Sequence, residues 1–334
     1  MQVLRKYAFL SVICIIVVCC LTVGLWMNHW LHQSLPITEP TTLLIPKGTG
    51  VRSLIGQMNR EDLWNGEPWQ LLIYDRATGA SPIKAGEYQL TPEMTIAEFL
   101  SDVRGGNVYL RKVTFPEGWT VQQWVSRLAK MTGVKSTAIT MSPEALSQQV
   151  RGSNTALEGW LFPDTYTYSY GARDVEILQR AYRAMLETLE KVSPQQSGAA
   201  FDDQSLLILA SMVEKESGQA NDRRKIARVF LNRLDKGMRL QSDPTVIYGL
   251  GSKFDGDLTR RHLRTDNPFN TYTRFGLPPT AIANPGLDAI RAVLSPLPGD
   301  WLYFVGRGDG SSQFSLDLKS HQQAVNRYQL GIIQ

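Results

Sequence analysis

The stretch LLILASMVEKES at residues 206–217 decides the fold of the second half of this chain. It is apolar on nearly every side of a helix, which is typical of a helix buried in a protein core. We therefore predict a buried helix from about Gln204 to Ser217. At about 3.6 residues per turn, Glu216 follows Met212 by one turn and lies on a buried side, whereas Glu214 points nearly the opposite way.

The buried position predicted for Glu216 gives its carboxyl group a chemical role. Desolvation disfavours the charged carboxylate, so it raises the pKa toward the range in which the group can deliver a proton near neutral pH. Such a group can act as the general acid that protonates a glycosidic oxygen. The competing interpretation is a helix-end glutamate that faces solvent or pairs with Lys215, Arg223 or Arg224. The helix alone leaves both interpretations open.

Polar and aromatic residues follow a second predicted helix, which runs from Arg223 to Lys236 and stops at Gly237. They lie in two segments expected as loops, 239–249 and 270–272. The candidate side chains in these segments are Gln241, Asp243, Tyr248, Asn270 and Tyr272. Such groups suit a sugar, because its hydroxyls need donors and acceptors and its apolar ring face packs on aromatic rings. Each of them is equally compatible with a role in a turn or a helix cap.

Composition and charge exclude several classes of protein. The chain has 334 residues, 43% of them hydrophobic, which is enough for one large or two modest domains. Its net charge of +4 is too small for a nucleic-acid footprint, so we expect no nucleic-acid partner. Its four histidines include no HExxH pair, which argues against a zinc hydrolase.

The N-terminus predicts a membrane anchor. We predict a cytoplasmic tail at residues 1–6 and a transmembrane helix at 7–27, since the second stretch has no charged side chain and is long enough to cross a bilayer. Arg5 and Lys6 precede the helix and Trp26 marks its far end, so the tail is expected in the cytoplasm and the remainder outside it.

Two further observations bear on that anchor. A cleaved signal peptide is the alternative, but residues 22–32 offer no cleavage site of small residues. The three cysteines, Cys14, Cys19 and Cys20, all lie inside the predicted helix, so the exported part has no thiol for a disulfide or a metal site.

The exported part is expected to have three regions. Residues 28–41 are polar and contain proline, and we predict a linker there. Residues 42–130 contain a repeated unit of strand, turn and helix, with Pro46, Pro92 and Pro116 at the strand ends. The predicted strands are Thr42 to Ile45, Gly86 to Leu90 and Tyr109 to Phe115. Residues 131–334 are expected to form a mainly helical domain, with helices that include Asp174 to Val192 and one after Leu318, and a strand at Trp301 to Val305.

Five motifs carry a resemblance to a known family. They are EGWLFPDT at 158–165, EKE at 214–216, NRL at 232–234, QSDPTVIYG at 241–249 and NTY at 270–272. Together they closely resemble the YceG family of endolytic murein transglycosylases, in the same order and over nearly the whole chain. One departure is Leu161, where the family often has an aromatic residue. The pair Glu216 and Ser217 is also similar to a signature of lysozyme-like lytic transglycosylases.

The resemblance implies a fold and a set of site residues. The expected fold class is α+β, with an N-terminal transmembrane helix, LysM-like β/α modules, and a mainly helical catalytic domain that carries a lysozyme-like glutamate helix. Glu216 is the expected catalytic residue. The substrate-binding or supporting residues are expected among Glu214, Asn232, Gln241, Asp243, Tyr248, Asn270 and Tyr272.

It also implies a reaction and a location. The expected reaction is non-hydrolytic cleavage of the β-1,4 bond between N-acetylmuramic acid and N-acetylglucosamine in nascent glycan strands, leaving a 1,6-anhydro end. No second carboxylate, metal or cofactor is required. We expect a single-pass protein of the bacterial inner membrane with a periplasmic catalytic domain. Its expected partners are peptidoglycan strands, and penicillin-binding synthases with the division or elongation machinery.

Two rival functions remain open on the sequence. The first is a hydrolytic muramidase that uses Asp243 as a second carboxylate with water. The second is a non-catalytic scaffold that binds glycan and recruits wall synthases. The chemistry of the product ends separates the first rival from a transglycosylase, and the behaviour of a Glu216→Gln protein separates the second.

Overall fold

The structure is a computed structural model that describes residues 2–64, 66–79, 81–192, 202–216 and 219–330. Ser217, the last residue of the predicted buried helix, lies outside these ranges. The chain divides into two compact units, Met1–Arg111 and Lys112–Gln334. This boundary falls inside the third predicted strand, Tyr109 to Phe115, so the turn and helix that follow it belong to the second unit. Both helices and strands are present, as expected for a mixed fold.

The first unit contains two strands and four helices among its described residues. In chain order these are α1 Gln2–Leu31, β1 Thr41–Ile45, α2 Val51–Arg60, α3 Pro68–Thr78, β2 Gly86–Leu90 and α4 Ile96–Gly105. The strands pair antiparallel, with Thr41 opposite Leu90. Leu43, Tyr88 and Phe99 are buried in the core between sheet and helices. The strand predicted at Gly86 to Leu90 has those bounds, and α4 begins after a capping box at Thr95 and Glu98.

Helix α1 contains the predicted apolar segment, and its last residues pack in the core of the first unit. Its stretch Arg5–Leu31 contains an 18-residue window with a mean hydropathy of 2.9 and is long and apolar enough to cross a membrane. Residues 28–41, expected as a linker, contain three buried side chains, Trp30, Leu35 and Ile37. These apolar residues stand among polar ones and prolines without helical or strand spacing, so no periodicity marks them as part of a core.

The second unit has a larger set of elements. Up to the long α7 helix these are β3 Arg111–Thr114, α5 Val121–Leu128, β4 Val134–Lys135, α6 Pro143–Arg151, β5 Thr165–Tyr168, β6 Ala172–Arg173 and α7 Asp174–Val192. After it come α8 Asp203–Glu216, α9 Ala220–Asp235, α10 Asp243–Leu250, α11 Arg260–Arg264, α12 Leu287–Leu294, β7 Tyr303–Gly306, β8 Ser312–Ser315 and α13 Leu318–Tyr328. The strands form small two-stranded sheets, in which β3 pairs with β5, β4 with β6 and β7 with β8.

Helix α8 lies at the centre of the second unit. All residues from Leu206 to Val213 are buried, and the helix packs in one core with α9 and α12. Ser211 is the one polar residue in that stretch, and its Oγ donates to the carbonyl of Ile208 and accepts from the amide of Ile282. The predicted burial of this helix is therefore confirmed. Its polar C-terminal end lies against the segment that follows α9.

The segment 239–249 differs from its predicted loop. Residues Asp243 to Leu250 form helix α10, which starts with a proline in its first turn. Thr245 and Val246 are buried, so tertiary packing stabilises a helix whose short mixed sequence has no clear helical period. The extended residue before it, Ser242, is also buried and brings its hydroxyl to the end of α8.

Candidate active site

An open cleft of about 420 Å³ in the second unit contains the end of α8. Its walls come from α8, α9, the segment before α10, strand β7 and helix α13. Its polar and aromatic lining includes Glu216, Arg233, Gln241, Asp243, Tyr272, Tyr303 and His321. Four of the residues predicted from sequence, Glu216, Gln241, Asp243 and Tyr272, thus lie together in this cleft.

Glu216 is the last residue of α8 and presents its carboxyl group at the inner wall of the cleft. Burial raises its pKa to about 7; the Ser242 hydrogen bond opposes the rise, the charge of Asp243 adds to it and the charge of Arg233 opposes it. Ser242 Oγ donates to Glu216 Oε1 at 2.7 Å. Among the described residues, no lysine or arginine forms an ion pair with this carboxyl group.

Glu214 has a different environment, although it is also buried. Its side chain is 6% exposed and forms an ion pair with Arg223, whose Nη2 lies 3.1 Å from Oε1. The backbone amide of Gly286 donates to Glu214 Oε2 at 3.0 Å. The ion-paired alternative raised for the helix end therefore applies to Glu214 and not to Glu216. Glu214 does not line the cleft. Its contacts with Arg223 and Gly286 instead join α8 to the segments that pack beside it.

Arg233 is a cleft residue that sequence reasoning did not single out. It is 7% exposed, and its guanidinium donates to the carbonyls of Leu302, Arg239 and Leu240. It also lies over the ring of Tyr303, 4.9 Å from the ring centroid. An arginine on an amphipathic helix looks like a surface residue in sequence, and nothing local distinguishes this one except its place in the NRL motif.

Two segments that sequence reasoning selected are joined at the cleft. The amide of Ser242 donates to Thr271 Oγ1 at 2.9 Å, and the amide of Gln241 donates to the Thr271 carbonyl. Tyr272 Oη donates to Asp243 Oδ1 at 2.6 Å. Gln241 has a φ of 52°, in the left-handed region that non-glycine residues rarely adopt. These contacts hold Asp243 and Tyr272 beside the carboxyl group of Glu216.

Asn232 and Asn270 stabilise loops and do not line the cleft. Asn232 Nδ2 donates to the carbonyls of Gly299 and Trp301, which places the chain that leads into β7. Asn270 is fully buried; its Nδ2 donates to the Thr265 carbonyl at 2.7 Å and its Oδ1 accepts from the Tyr272 amide. Their polar groups are satisfied by backbone, so both act on the site by holding its loops.

Tyr248 also lies away from the cleft, where it contacts a buried carboxyl group that sequence reasoning missed. Its Oη donates to Glu158 Oε2 at 3.1 Å. Glu158 also accepts from the amide of Val121 and from Nδ2 of Asn284, and burial raises its pKa to about 7 despite these donors. Glu158 opens the EGWLFPDT motif, but nothing in that motif indicates that its carboxyl group joins three separated segments.

The C-terminal part of the chain supplies an aromatic wall that the sequence did not predict. Tyr303 in β7 stacks on His321 in α13, with ring centroids 5.1 Å apart. Burial, together with the nearby charge of Arg233, lowers the pKa of His321, which favours the neutral imidazole. Stacked rings beside a carboxyl group offer an apolar surface on which a sugar ring can pack.

Comparisons with known proteins identify the family of this chain. Residues 43–327 match the YceG-like family. A Bacillus subtilis (strain 168) protein named endolytic murein transglycosylase is 30% identical over 302 residues, which is 85% of this chain and 83% of that protein. A Streptococcus pneumoniae (strain D39) protein of the same name is 26% identical over 318 residues, and the match spans only 57% of its length.

A solved structure extends the likeness to the fold. The crystal structure of a YceG-like protein from Listeria monocytogenes aligns with a TM-score of 0.57 at 30% sequence identity, covering 85% of this chain and 99% of that one. The resemblance indicated by the five motifs is confirmed, since the family match covers both units. This chain belongs to the YceG-like family.

Proposed function

We propose that this protein is an endolytic murein transglycosylase that uses Glu216 as its single acid and base. The observation that carries the proposal is the carboxyl group of Glu216, which lies in an open cleft, has a pKa near 7 and lacks an ion-pair partner among the described residues. The B. subtilis and S. pneumoniae relatives bear the name of this activity. The substrate is a glycan strand of alternating N-acetylmuramic acid and N-acetylglucosamine.

In the first step Glu216 donates its proton to the glycosidic oxygen. The bond between the anomeric carbon of the muramic acid and that oxygen breaks, and the electron pair goes to the oxygen, which leaves as the hydroxyl of N-acetylglucosamine. Positive charge develops on the muramic acid ring. Glu216 is then a carboxylate, and Asp243 adds a second negative oxygen to the same cleft. Both favour a cationic transition state.

In the second step the 6-hydroxyl of the same muramic acid attacks the anomeric carbon. Glu216 accepts the proton of that hydroxyl as the new bond forms, so the enzyme returns to its starting protonation state and no water is consumed. The nucleophile belongs to the ring it attacks, and well-oriented intramolecular reactions gain roughly 7 to 11 kcal/mol from proximity. The Ser242 hydrogen bond to Oε1 supports this double use, because it orients the carboxyl group in both forms.

The muramidase alternative uses the same cleft with a different nucleophile. Asp243 would then activate water, but its Oδ1 accepts a 2.6 Å hydrogen bond from Tyr272 Oη, which favours an electrostatic role over a basic one. Purified peptidoglycan digested with the protein tests the two functions by mass spectrometry of the fragments. Transglycosylation leaves 1,6-anhydro ends, and hydrolysis leaves reducing ends. A preponderance of reducing ends would overturn the proposal.

The N-terminal helix supports an anchor in the bacterial inner membrane, with the part of the chain after this helix on the periplasmic side. The apolar length of Arg5–Leu31 and the basic pair before it carry this part of the proposal. An anchored site meets nascent strands near the membrane at a high effective concentration. We propose that cleavage there sets strand length beside the wall synthases. The β1–α2–α3–β2 order with antiparallel strands supports a LysM-like, glycan-binding module in the first unit.

A further inference from the structure

Helix α3 of the first unit has an exposed face that is partly apolar. Trp69 and Ile73 are 49% and 48% exposed, and Arg76 is exposed on the same side, since the three are spaced four and seven residues apart. The opposite side of the helix contributes Leu71, which is fully buried in the core. Helix α3 thus has apolar residues on two sides, one buried in the core and the other about half exposed.

The ring of Trp69 lies against the end of the membrane-spanning helix. It stacks on Trp26 of α1 with ring centroids 5.4 Å apart and planes 8° apart. Trp26 belongs to the apolar stretch Arg5–Leu31, and tryptophan at the end of such a stretch lies at the level of the lipid headgroups. The stacking places Trp69 at the same level, because the two rings are in contact.

The packed core of the first unit begins directly after the predicted transmembrane helix at residues 7–27. Trp30 follows Trp26 by one turn, about 6 Å along the helix axis, and is already buried in the core of the unit. Beyond the helix, the amide of Leu35 donates to the carbonyl of Met94, and the amide of Ile96 donates to that of Gln33. The connection between anchor and unit is therefore packed, so the exposed face of α3 is held beside the bilayer surface.

We propose that the α3 face formed by Trp69, Ile73 and Arg76 is a membrane-contacting surface, seated in the headgroup region of the periplasmic leaflet. Trp69 presents an amphipathic ring, Ile73 enters the upper acyl region, and Arg76 extends its guanidinium to the lipid phosphates. The occupant is phospholipid, because the face is continuous with the segment that crosses the bilayer. The proposal rests on the membrane anchor of the proposed function and is independent of glycan cleavage.

The consequence is a first unit with a fixed orientation on the membrane. A flexible linker after the transmembrane helix would let the unit rotate freely. A second contact with the bilayer, made by the α3 face, restricts the unit to one orientation. The side of the β1 and β2 sheet that faces glycan is then determined by the orientation of the unit on the membrane.

The test places an environment-sensitive fluorophore on the face in the full chain. Cys14, Cys19 and Cys20 are replaced by alanine, and a single cysteine is introduced as Ile73→Cys or Arg76→Cys for labelling with a nitrobenzoxadiazole dye. Thr78→Cys is the matched control, since Thr78 is exposed on the same helix but lies on the side opposite Trp69. The proteins are inserted into liposomes of phosphatidylethanolamine and phosphatidylglycerol that contain lipids spin-labelled near the headgroup.

We expect blue-shifted emission and several-fold stronger quenching by the spin-labelled lipid at positions 73 and 76 than at position 78. Equal, weak quenching at all three positions in protein that floats with the liposomes would overturn the membrane-contacting surface. Protein that fails to float would overturn it together with the anchor. Release of 1,6-anhydro fragments by the unlabelled protein is measured separately, so failure of the proposed reaction is distinguished from failure of this inference.

Discussion

Ser242 Oγ donates a 2.7 Å hydrogen bond to Oε1 of Glu216, and it is the only side-chain hydrogen bond to this carboxyl group among the residues that the structure describes. One oxygen of a carboxyl group that lines the cleft is thereby fixed. Ser242 lies 26 residues after Glu216 and is 1% exposed, so the contact depends on the packing of the segment before α10 and not on any local motif.

The two acids of the EKE motif should separate on mutation. We expect Glu216→Gln to lower the release of 1,6-anhydro fragments by about 10²- to 10⁴-fold, the usual contribution of general acid and base catalysis. Glu214→Gln should retain activity and lower the free energy of unfolding by about 1 to 3 kcal/mol, because it weakens the pair with Arg223. Fragment release is measured by mass spectrometry of digested, purified peptidoglycan, and the free energy of unfolding by denaturant titration.

Contrary results would point to specific alternatives. Loss of activity with Glu214→Gln alone would make Glu214 the acid. Full activity of the Glu216→Gln protein would favour the scaffold interpretation, because a scaffold does not depend on proton transfer.

The pH dependence should follow the ionisation of Glu216. A general acid must be protonated, so we expect kcat/KM to be level below pH 7 and to fall above it, since the pKa is about 7. Removing the Ser242 donor in Ser242→Ala should raise this pKa and move the fall to higher pH. Removing the Asp243 charge in Asp243→Asn should lower it and move the fall to lower pH. Shifts of both variants in one direction would contradict this account of the site.

The elements of the chain were largely predictable from local pattern. Helix α7 has the bounds Asp174–Val192 that its periodicity predicts, and α8 lies within one residue of its prediction at both ends. These helices have apolar residues at regular spacing, and strand β2 ends at a proline turn. Such signals depend only on neighbours in sequence.

The partners within the site were not predictable in the same way. The cleft around Glu216 is formed by residues from separate parts of the second unit, namely Arg233, Ser242, Tyr303 and His321. The sequence pattern of a single segment does not predict that they lie together. Asn270 illustrates the same point, because its polar side chain was expected to bind substrate or to support the site, and its hydrogen bonds go to its own loop. A polar side chain near a site can bind either the substrate or the protein backbone, and only its tertiary contacts show which of these roles it has.

Ionisation of Glu216 should also be visible in stability. Its pKa is raised from 4.5 to about 7 in the folded protein, so the folded state holds this proton more tightly than the unfolded state. This contribution is complete below the unfolded value and is lost as pH rises to about 7. The free energy of unfolding of Glu216→Gln relative to the parent should therefore increase with pH across that window, by at most about 3 kcal/mol.

The anchor predicts a dependence of glycan length on tethering. We expect a protein in which residues 1–25 are replaced by a cleaved export signal to leave glycan strands abnormally long in cells that lack the parent, because its site is no longer concentrated at nascent strands. Strand length is measured by chromatography of digested wall. Normal strand lengths with the released protein, at matched abundance, would remove this explanation of the anchor.

Tyr248 and Tyr272 offer a matched pair of hydroxyls, one outside the cleft and one inside it. Tyr248 Oη donates to Glu158, and its ring packs edge-on against Phe269, so Tyr248→Phe should lower the free energy of unfolding by about 1 kcal/mol and leave fragment release nearly unchanged. Tyr272 Oη donates to Asp243 beside Glu216, so Tyr272→Phe should lower kcat/KM more than stability. A raised KM in Tyr248→Phe at unchanged stability would return Tyr248 to the substrate-binding role expected from sequence, since a hydroxyl that only holds Glu158 cannot alter substrate affinity without weakening the fold.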